Sequence, residues 1–160
     1  MNINTIQAVY FIGAGGIGMS ALVRYFLSKG KKVGGYDRTP SELTENLIAE
    51  GADIHYEENV SLIPEVFLHP ETTLVVYTPA IPANHKELVY FQEHQFEIHK
   101  RAQVLGMLTQ TEKGMCVAGT HGKTTTSTMA AFLMDHSHVG CNAFPRTTRL
   151  TFYCPIKVTM

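Results

Sequence analysis

The segment Gly119–Thr126 has the residue types that bind a nucleoside triphosphate. It reads Gly-Thr-His-Gly-Lys-Thr-Thr-Thr. Small residues allow backbone amides to close on a phosphate, Lys123 can neutralise the β- and γ-phosphates, and the Thr124 hydroxyl can bind Mg²⁺. The commonest spacing, GxxxxGK[ST], is not met, because Val117 stands five residues before Gly122. The sequence therefore predicts a phosphate loop with a shortened spacing.

A second glycine-rich segment, Gly13–Gly18, predicts another phosphate site. It follows the apolar run Val9–Ile12 and precedes the helical pattern Met19–Leu27, and its spacing is GxGxxG. Asp37 stands nineteen residues past Gly18, where an acidic side chain can meet ribose hydroxyls. The pattern indicates a diphosphate at a helix N-terminus but does not identify the base, so NAD, FAD and a UDP-sugar all remain open.

Alternating strands and helices must position these two loops. We predict strands at 9–12, 32–36, around 54, 74–77, 96–98 and 115–118, and helices at 19–27, 39–50, 84 onward, 102–108 and 125–134. The second helix is predicted to start as a capping box at Thr39, with Pro40 in the first helical position. Asn84, with Glu87 three residues later, indicates another helix start. The consecutive apolar residues of the strands predict an α/β fold with a Rossmann-like parallel sheet.

Composition narrows the class of partner. The chain has 160 residues, of which 44% are hydrophobic and 17% charged, and its formal net charge is -1. This balance gives no general attraction to nucleic acid or to an anionic membrane, so small-molecule partners are expected. No apolar run approaches a membrane span and no signal-peptide pattern opens the chain, which predicts a cytoplasmic protein without membrane insertion.

The cysteine and histidine spacings predict no metal centre. Cys116, Cys141 and Cys154 are odd in number and form no CxxC pair, so we interpret them as buried thiols. His136 and His138 form an HxH pair near Cys141, but no fourth ligand is evident and we interpret the pair as ordinary surface or turn residues.

Four motifs together resemble the Mur ligase family of peptidoglycan synthesis. In chain order they are Phe11–Ser20, Thr78–Pro82, Lys100–Leu105 and Ala118–Thr126. The resemblance covers about residues 7 to 144, and the shortened phosphate loop is the family's own variant. His121 is typical of the alanine-adding branch and of the related peptide-recycling ligase. The intact loop at Gly13–Gly18 favours the alanine-adding branch.

The resemblance implies an organisation and a reaction. Residues 1–108 would be a Rossmann-like domain that holds the UDP part of the substrate, 109–114 a linker, 115–144 the first βα unit of a P-loop ATPase domain, and 145–160 an atypical tail. The implied substrates are UDP-N-acetylmuramate and L-alanine, and the implied cofactors are ATP and Mg²⁺. ATP would convert the muramoyl carboxylate to an acyl phosphate, which the L-alanine amine would attack.

The resemblance also assigns site residues. It assigns the UDP part to Gly13, Gly15, Gly16, Ile17, Gly18, Asp37, Thr78, Pro79 and Ala80. It assigns ATP binding to Gly119, Thr120, His121, Gly122, Lys123, Thr124 and Thr125. Within this second set Lys123 and Thr124 would be catalytic, and Thr124 would also be one ligand of an incomplete Mg²⁺ site.

Departures from the family pattern lead to a further expectation. Glu57-Glu58 replaces the Gly-His often found after the third strand, so no substrate contact is assigned there, and residues 145–160 do not resemble the family. Residues 112–160 number 49, too few for a nucleotide-binding domain of roughly 100 to 150 residues. We therefore expect a truncated chain that has no ligase activity alone.

Several alternatives remain open from the sequence. They are a peptide-recycling muramate ligase, an NAD-dependent oxidoreductase, a non-catalytic nucleotide-sugar sensor, and a genuine short protein whose tail forms a strand pair. A separate expectation concerns the apolar residues Met115, Val117 and Phe132, which have few places to pack in so short a second domain. Their exposure would favour docking on the first domain or a homodimer.

Overall fold

The computed structural model describes residues 5–111, 114–137 and 141, and it divides into two compact units, 1–113 and 114–160. The strands of the first unit are β1 (Ala8–Ile12), β2 (Lys32–Tyr36), β3 (Asp53–His55), β4 (Thr73–Tyr77) and β5 (Glu97–Lys100). Its helices are α1 (Ile17–Ser28), α2 (Glu42–Ala49), α3 (Lys86–Glu93) and α4 (Arg101–Thr111), with short 3-10 turns at Val60–Leu62 and Glu65–Phe67. The second unit contributes α5 (Lys123–His136).

The five strands form one parallel sheet in the order β3-β2-β1-β4-β5. All five residues of the central strand β1 are buried, as are four of the five in β4. A parallel sheet needs helical crossovers that cover its faces, and this explains the continuous apolar runs in the sequence. The predicted α/β fold with a parallel sheet is confirmed.

Aromatic side chains fill the space on both faces of the sheet. The Phe11 and Phe26 rings lie 6.3 Å apart between β1 and α1. The Tyr10 ring lies 5.5 Å from that of Phe67 and 5.0 Å from that of Phe91. Gly34 makes room for Phe67, because a Cβ on this glycine would lie 2.5 Å from the Phe67 ring. Each fully buried aromatic ring contributes about 1.5–3 kcal/mol relative to an exposed one.

Two predicted helix starts are wrong in detail. Helix α2 begins after Ser41, whose side chain and that of Thr44 each accept the other's backbone amide. This reciprocal cap satisfies two amides, so Pro40 lies outside the helix rather than in its first turn. Helix α3 begins after His85, and Asn84 is not its cap.

The segment 115–118 is not the buried strand that the sequence predicts. It has no regular secondary structure, Met115 is 60% exposed, and Cys116 is exposed rather than buried. A strand forms only against a neighbouring strand, and the described part of the second unit contains none. Cys141 is half-buried, whereas Cys154 and His138 lie outside the described residues, as does the predicted tail at 145–160.

The division between the two units falls within the predicted linker at 109–114. Helix α4 continues through Thr111, so the first three residues of that segment are helical. The first unit ends at residue 113 and the second begins at residue 114. Among the described residues, no helix is both long enough and apolar enough to cross a membrane.

Candidate functional site

The first glycine loop connects β1 to α1 and is braced by its own backbone. Gly13 has φ +91°, a conformation that favours glycine. The amides of Gly13 and Ala14 both donate to the Tyr36 carbonyl, at 2.8 and 3.0 Å. These two amides are therefore not available to a ligand, and they hold the loop against the end of β2.

Asp37 braces the same loop. Its Oδ2 accepts the Gly15 amide at 2.6 Å, and its Oδ1 accepts the Thr39 amide at 3.3 Å. A Cβ on Gly15 would lie 2.7 Å from Thr44 Cγ2 and 2.9 Å from Asp37 Oδ2. The half-buried carboxylate thus holds the loop in place, which the spacing argument for a ribose contact did not predict.

The amides of Ile17 and Gly18 open α1, where the first turn of a helix has no intrahelical acceptors. Gly16 and Ile17 are exposed to solvent. Oriented amides and the positive end of the helix dipole favour an anion at this position. The start of α1 is therefore the part of the loop that can meet a diphosphate.

Arg101 adds a cationic side chain at the same place. This residue begins α4 directly after β5, and its guanidinium lies over Gly18, with Nη1 2.5 Å from the point where a Cβ on Gly18 would stand. Only a glycine permits this approach. Arg101 belongs to the Lys100–Leu105 motif, but no role was predicted for it, because the motif does not show that its neighbour in space is Gly18. An arginine at the start of the helix after the last strand was the signal that could have indicated it.

The segment Thr78–Pro82 lies beside the glycine loop. The Thr78 amide faces the Ile12 carbonyl at 3.4 Å, and a Cβ on Gly13 would lie 2.6 Å from Thr78 Cγ2. Pro79 and Ala80 are exposed next to it. Because β1 and β4 are neighbours at which the strand order reverses, both segments lie at the switch point where open α/β sheets bind ligands. The fold thus brings most of the predicted substrate-binding residues together.

The second glycine loop lies in the other unit. Gly119 and Gly122 have φ +151° and +74°, and Gly122 immediately precedes α5. The Lys123 ammonium donates to the carbonyls of Gly119 and Thr120 within the loop. His121 Nδ1 lies 3.2 Å from Thr120 Oγ1.

Helix α5 places two further predicted residues on the surface. Thr124 and Thr125 follow Lys123 in its first turn, and both are exposed. A cation, hydroxyl groups and the amides of a helix start are donors that suit a phosphate group. In the part of the chain that the structure describes, no three His, Cys, Asp or Glu side chains are grouped so as to hold a metal ion.

The parallel sheet, the switch point between β1 and β4, and glycine-rich loops at helix starts are features shared by α/β proteins that bind nucleotides. The sequence profile described as "Mur ligase family, catalytic domain" matches residues 8–113. The chain therefore belongs to the Mur ligase family.

Individual relatives narrow the comparison. The UDP-N-acetylmuramate--L-alanine ligase of Phocaeicola vulgatus is 76% identical over 144 residues, and that of Parabacteroides distasonis is 67% identical over the same length. In both cases the match covers 90% of this chain and 31% of the relative. The chain thus spans about a third of the length of the curated relatives it matches.

A solved structure supports the same assignment. The crystal structure of the UDP-N-acetylmuramate-alanine ligase from Thermotoga maritima superposes with a TM-score of 0.71 at 30% identity. It covers 82% of this chain and 30% of that protein. A murein peptide ligase from Psychrobacter arcticus superposes with a TM-score of 0.70 at 25% identity.

Proposed function

We propose that this chain is the nucleotide-sugar-binding part, with the start of the ATP-binding part, of an ATP-dependent ligase that joins L-alanine to UDP-N-acetylmuramate. The observation that carries the proposal is the 76% identity, over 90% of the chain, to a protein of that activity. Such identity favours the alanine-adding reaction over the peptide-recycling one. Among solved structures the difference is smaller, at 30% identity to the alanine ligase of Thermotoga maritima and 25% to the peptide ligase of Psychrobacter arcticus.

In the first unit, the UDP diphosphate would lie at the start of α1. The Ile17 and Gly18 amides would donate to its oxygens, and the Arg101 guanidinium, already against Gly18, would pair with its charge. The segment Thr78–Ala80 lies beside the loop and would contact the nucleotide from the β4 side. Asp37 would act by holding the Gly15 amide.

In the second unit, Gly119–Thr125 would hold the ATP phosphates. When bound, ATP with Mg²⁺ supplies the phosphoryl group that activates the substrate carboxylate. Lys123 would exchange its contacts with the loop carbonyls for the phosphates, and the exposed Thr124 hydroxyl would be one Mg²⁺ ligand. The absence of ligase activity from this chain alone remains a prediction. The cytoplasmic location and the homodimer remain predictions.

Calorimetry with three ligands tests this proposal. We expect the chain to bind UDP-N-acetylmuramate and not NADH, while any binding of Mg-ATP is weak. Binding of NADH without binding of the UDP-sugar would overturn the proposal in favour of an oxidoreductase. Ligase turnover by the purified chain would overturn the expectation that it is inactive alone.

An arginine variant tests where the diphosphate binds. Arg101→Ala removes one charge-assisted contact worth about 1.5–3 kcal/mol, so affinity for UDP should fall about 10- to 100-fold. Affinity for uridine, which has no phosphate, should not change. Lys100→Ala removes an equal charge from the neighbouring exposed position and is the matched control. Equal losses in both variants would mean that only general electrostatic attraction is involved.

A further inference from the structure

Three ionisable side chains form a hydrogen-bonded chain through the interior of the first unit. Tyr10 Oη, on β1, lies 2.8 Å from Glu87 Oε2, on α3, and 2.7 Å from His55 Nε2, at the end of β3. His55 Nδ1 lies 2.9 Å from the Glu57 carbonyl oxygen, and Glu87 Oε1 accepts the Asn59 amide at 3.3 Å. The Glu87 side chain is 0% exposed and that of His55 is 14% exposed, so the histidine is the end of the chain that reaches solvent.

Counting hydrogens along this chain shows what it requires. Three contacts, Glu57 O to His55 Nδ1, His55 Nε2 to Tyr10 Oη, and Tyr10 Oη to Glu87 Oε2, need one hydrogen each. A neutral histidine, a neutral tyrosine and an ionised glutamate together supply two. All three hydrogen bonds form together only when these side chains hold one more proton.

We propose that the Glu87–Tyr10–His55 chain holds one exchangeable proton, carried on Glu87, and that this proton decides which nitrogen of His55 is protonated. With the proton present, Glu87 donates to Tyr10, Tyr10 donates to His55 Nε2, and Nδ1–H donates to the Glu57 carbonyl. When the proton leaves, Tyr10 donates to the Glu87 carboxylate, and His55 must move its hydrogen to Nε2 to donate to Tyr10. The Glu57 carbonyl then loses its donor, so the segment after β3 senses the state of a carboxyl group in the core.

The surroundings of the chain place the proton on Glu87. Burial, with a smaller contribution from the neighbouring Glu58, raises the pKa of Glu87 to about 7, although hydrogen bonds from Tyr10 and Asn59 act to lower it. Burial also raises the pKa of Tyr10 well above its usual range, so the phenol keeps its hydrogen.

Burial disfavours a charge at the histidine end of the hydrogen-bonded chain. Burial lowers the pKa of His55, although the Glu57 carbonyl and the charges of Asp53 and Glu57 oppose this. His85, which caps α3, also has its pKa lowered by burial, and the ring of Tyr36 lies against both histidines. Among these groups His55 comes near Glu87, with Nε2 3.6 Å from Oε1, and the lowered pKa of its ring disfavours an ion pair between them.

Long-range ¹H–¹⁵N NMR of the histidine rings tests the proposal on the full chain, with His55 assigned by its loss in His55→Gln. We expect wild-type His55 to carry its hydrogen on Nδ1 at about pH 6 and on Nε2 at about pH 8.5, with a midpoint near neutrality. Glu87→Gln should hold the Nδ1–H form throughout, because the Gln amide donates to Tyr10 as protonated Glu87 does. Glu93→Gln, an exposed change on the same helix, should behave as wild type.

Three results would overturn the proposal. The first is a wild-type His55 that keeps one tautomer from about pH 6 to about pH 8.5. The second is a Glu87→Gln variant in which His55 changes tautomer as it does in wild type. The third is a His55 ring that is protonated on both nitrogens at about pH 6. If Glu87→Gln fails to fold, Tyr10→Phe replaces it. This variant breaks the hydrogen-bonded connection between Glu87 and His55, so the change of His55 tautomer near neutrality should disappear.

Discussion

The stability of the first unit should depend on pH through Glu87, and Glu87→Gln isolates this dependence. The pKa of Glu87 is raised from 4.5 to about 7 by burial. A raised pKa in the folded state means that the folded protein binds the proton more tightly than the unfolded chain does. The stability associated with Glu87 is therefore fully present below about pH 4.5 and is lost as the pH rises to about 7.

The size of the loss follows from the shift. From 4.5 to about 7 the pKa changes by about 2.5 units, and at 1.36 kcal/mol per unit this corresponds to about 3 kcal/mol. The Gln side chain has the hydrogen-bonding pattern of a protonated glutamic acid and never ionises. Glu87→Gln should thus match wild type at about pH 4 and exceed it by up to about 3 kcal/mol at about pH 8.

Urea denaturation followed by the near-ultraviolet circular dichroism of tyrosine measures this difference. Six of the seven tyrosines lie within residues 1–113, so the signal reports the first unit. His55 and His85 have lowered pKa values and destabilise the fold as the pH falls through about 6.5, but both are present in each chain. The quantity to follow is therefore the difference between the variants. A difference that is the same at both pH values, or one also given by Glu93→Gln, would refute the reasoning.

Three further predictions concern the two units. Gly15→Ala should lower the stability of the first unit by about 1–3 kcal/mol and weaken binding of UDP-N-acetylmuramate, because the new Cβ displaces the Asp37 brace. Gly106→Ala, in an open helical position, is its control and should stabilise by about 0.5–1 kcal/mol. Lys123→Ala should remove any Mg-ATP binding that calorimetry detects in wild type, whereas unchanged binding would exclude the second loop as the site. Phe132→Ser should abolish any concentration-dependent dimer in light scattering and Leu62→Ser should not, since Phe132 is one of the exposed apolar residues of α5 whose exposure favours docking or a homodimer. A monomeric wild type would refute the homodimer.

The sequence predicted a parallel sheet and the succession of strands and helices along the chain, because hydrophobic patterns and glycine positions are local signals. It did not predict the Tyr10–Glu87 contact, because these residues are 77 positions apart and only the packing of α3 brings them together. Glu87 was interpreted as a helix-start residue, but its carboxyl group points into the core. The apolar run at 115–118 failed as a strand for a related reason, since strand formation depends on a partner that local pattern does not show.

Asp37 shows how the structure changes the choice between functions. In a dinucleotide-binding site, the acidic residue after the second strand accepts hydrogen bonds from ribose hydroxyls. Here both of its carboxylate oxygens face backbone amides, at 2.6 Å from Gly15 and 3.3 Å from Thr39. The oxidoreductase alternative depends on a carboxylate that is free for the ribose, so this geometry weakens it. A nucleotide sugar held mainly through its diphosphate, at the start of α1 and beside Arg101, makes no such demand on Asp37.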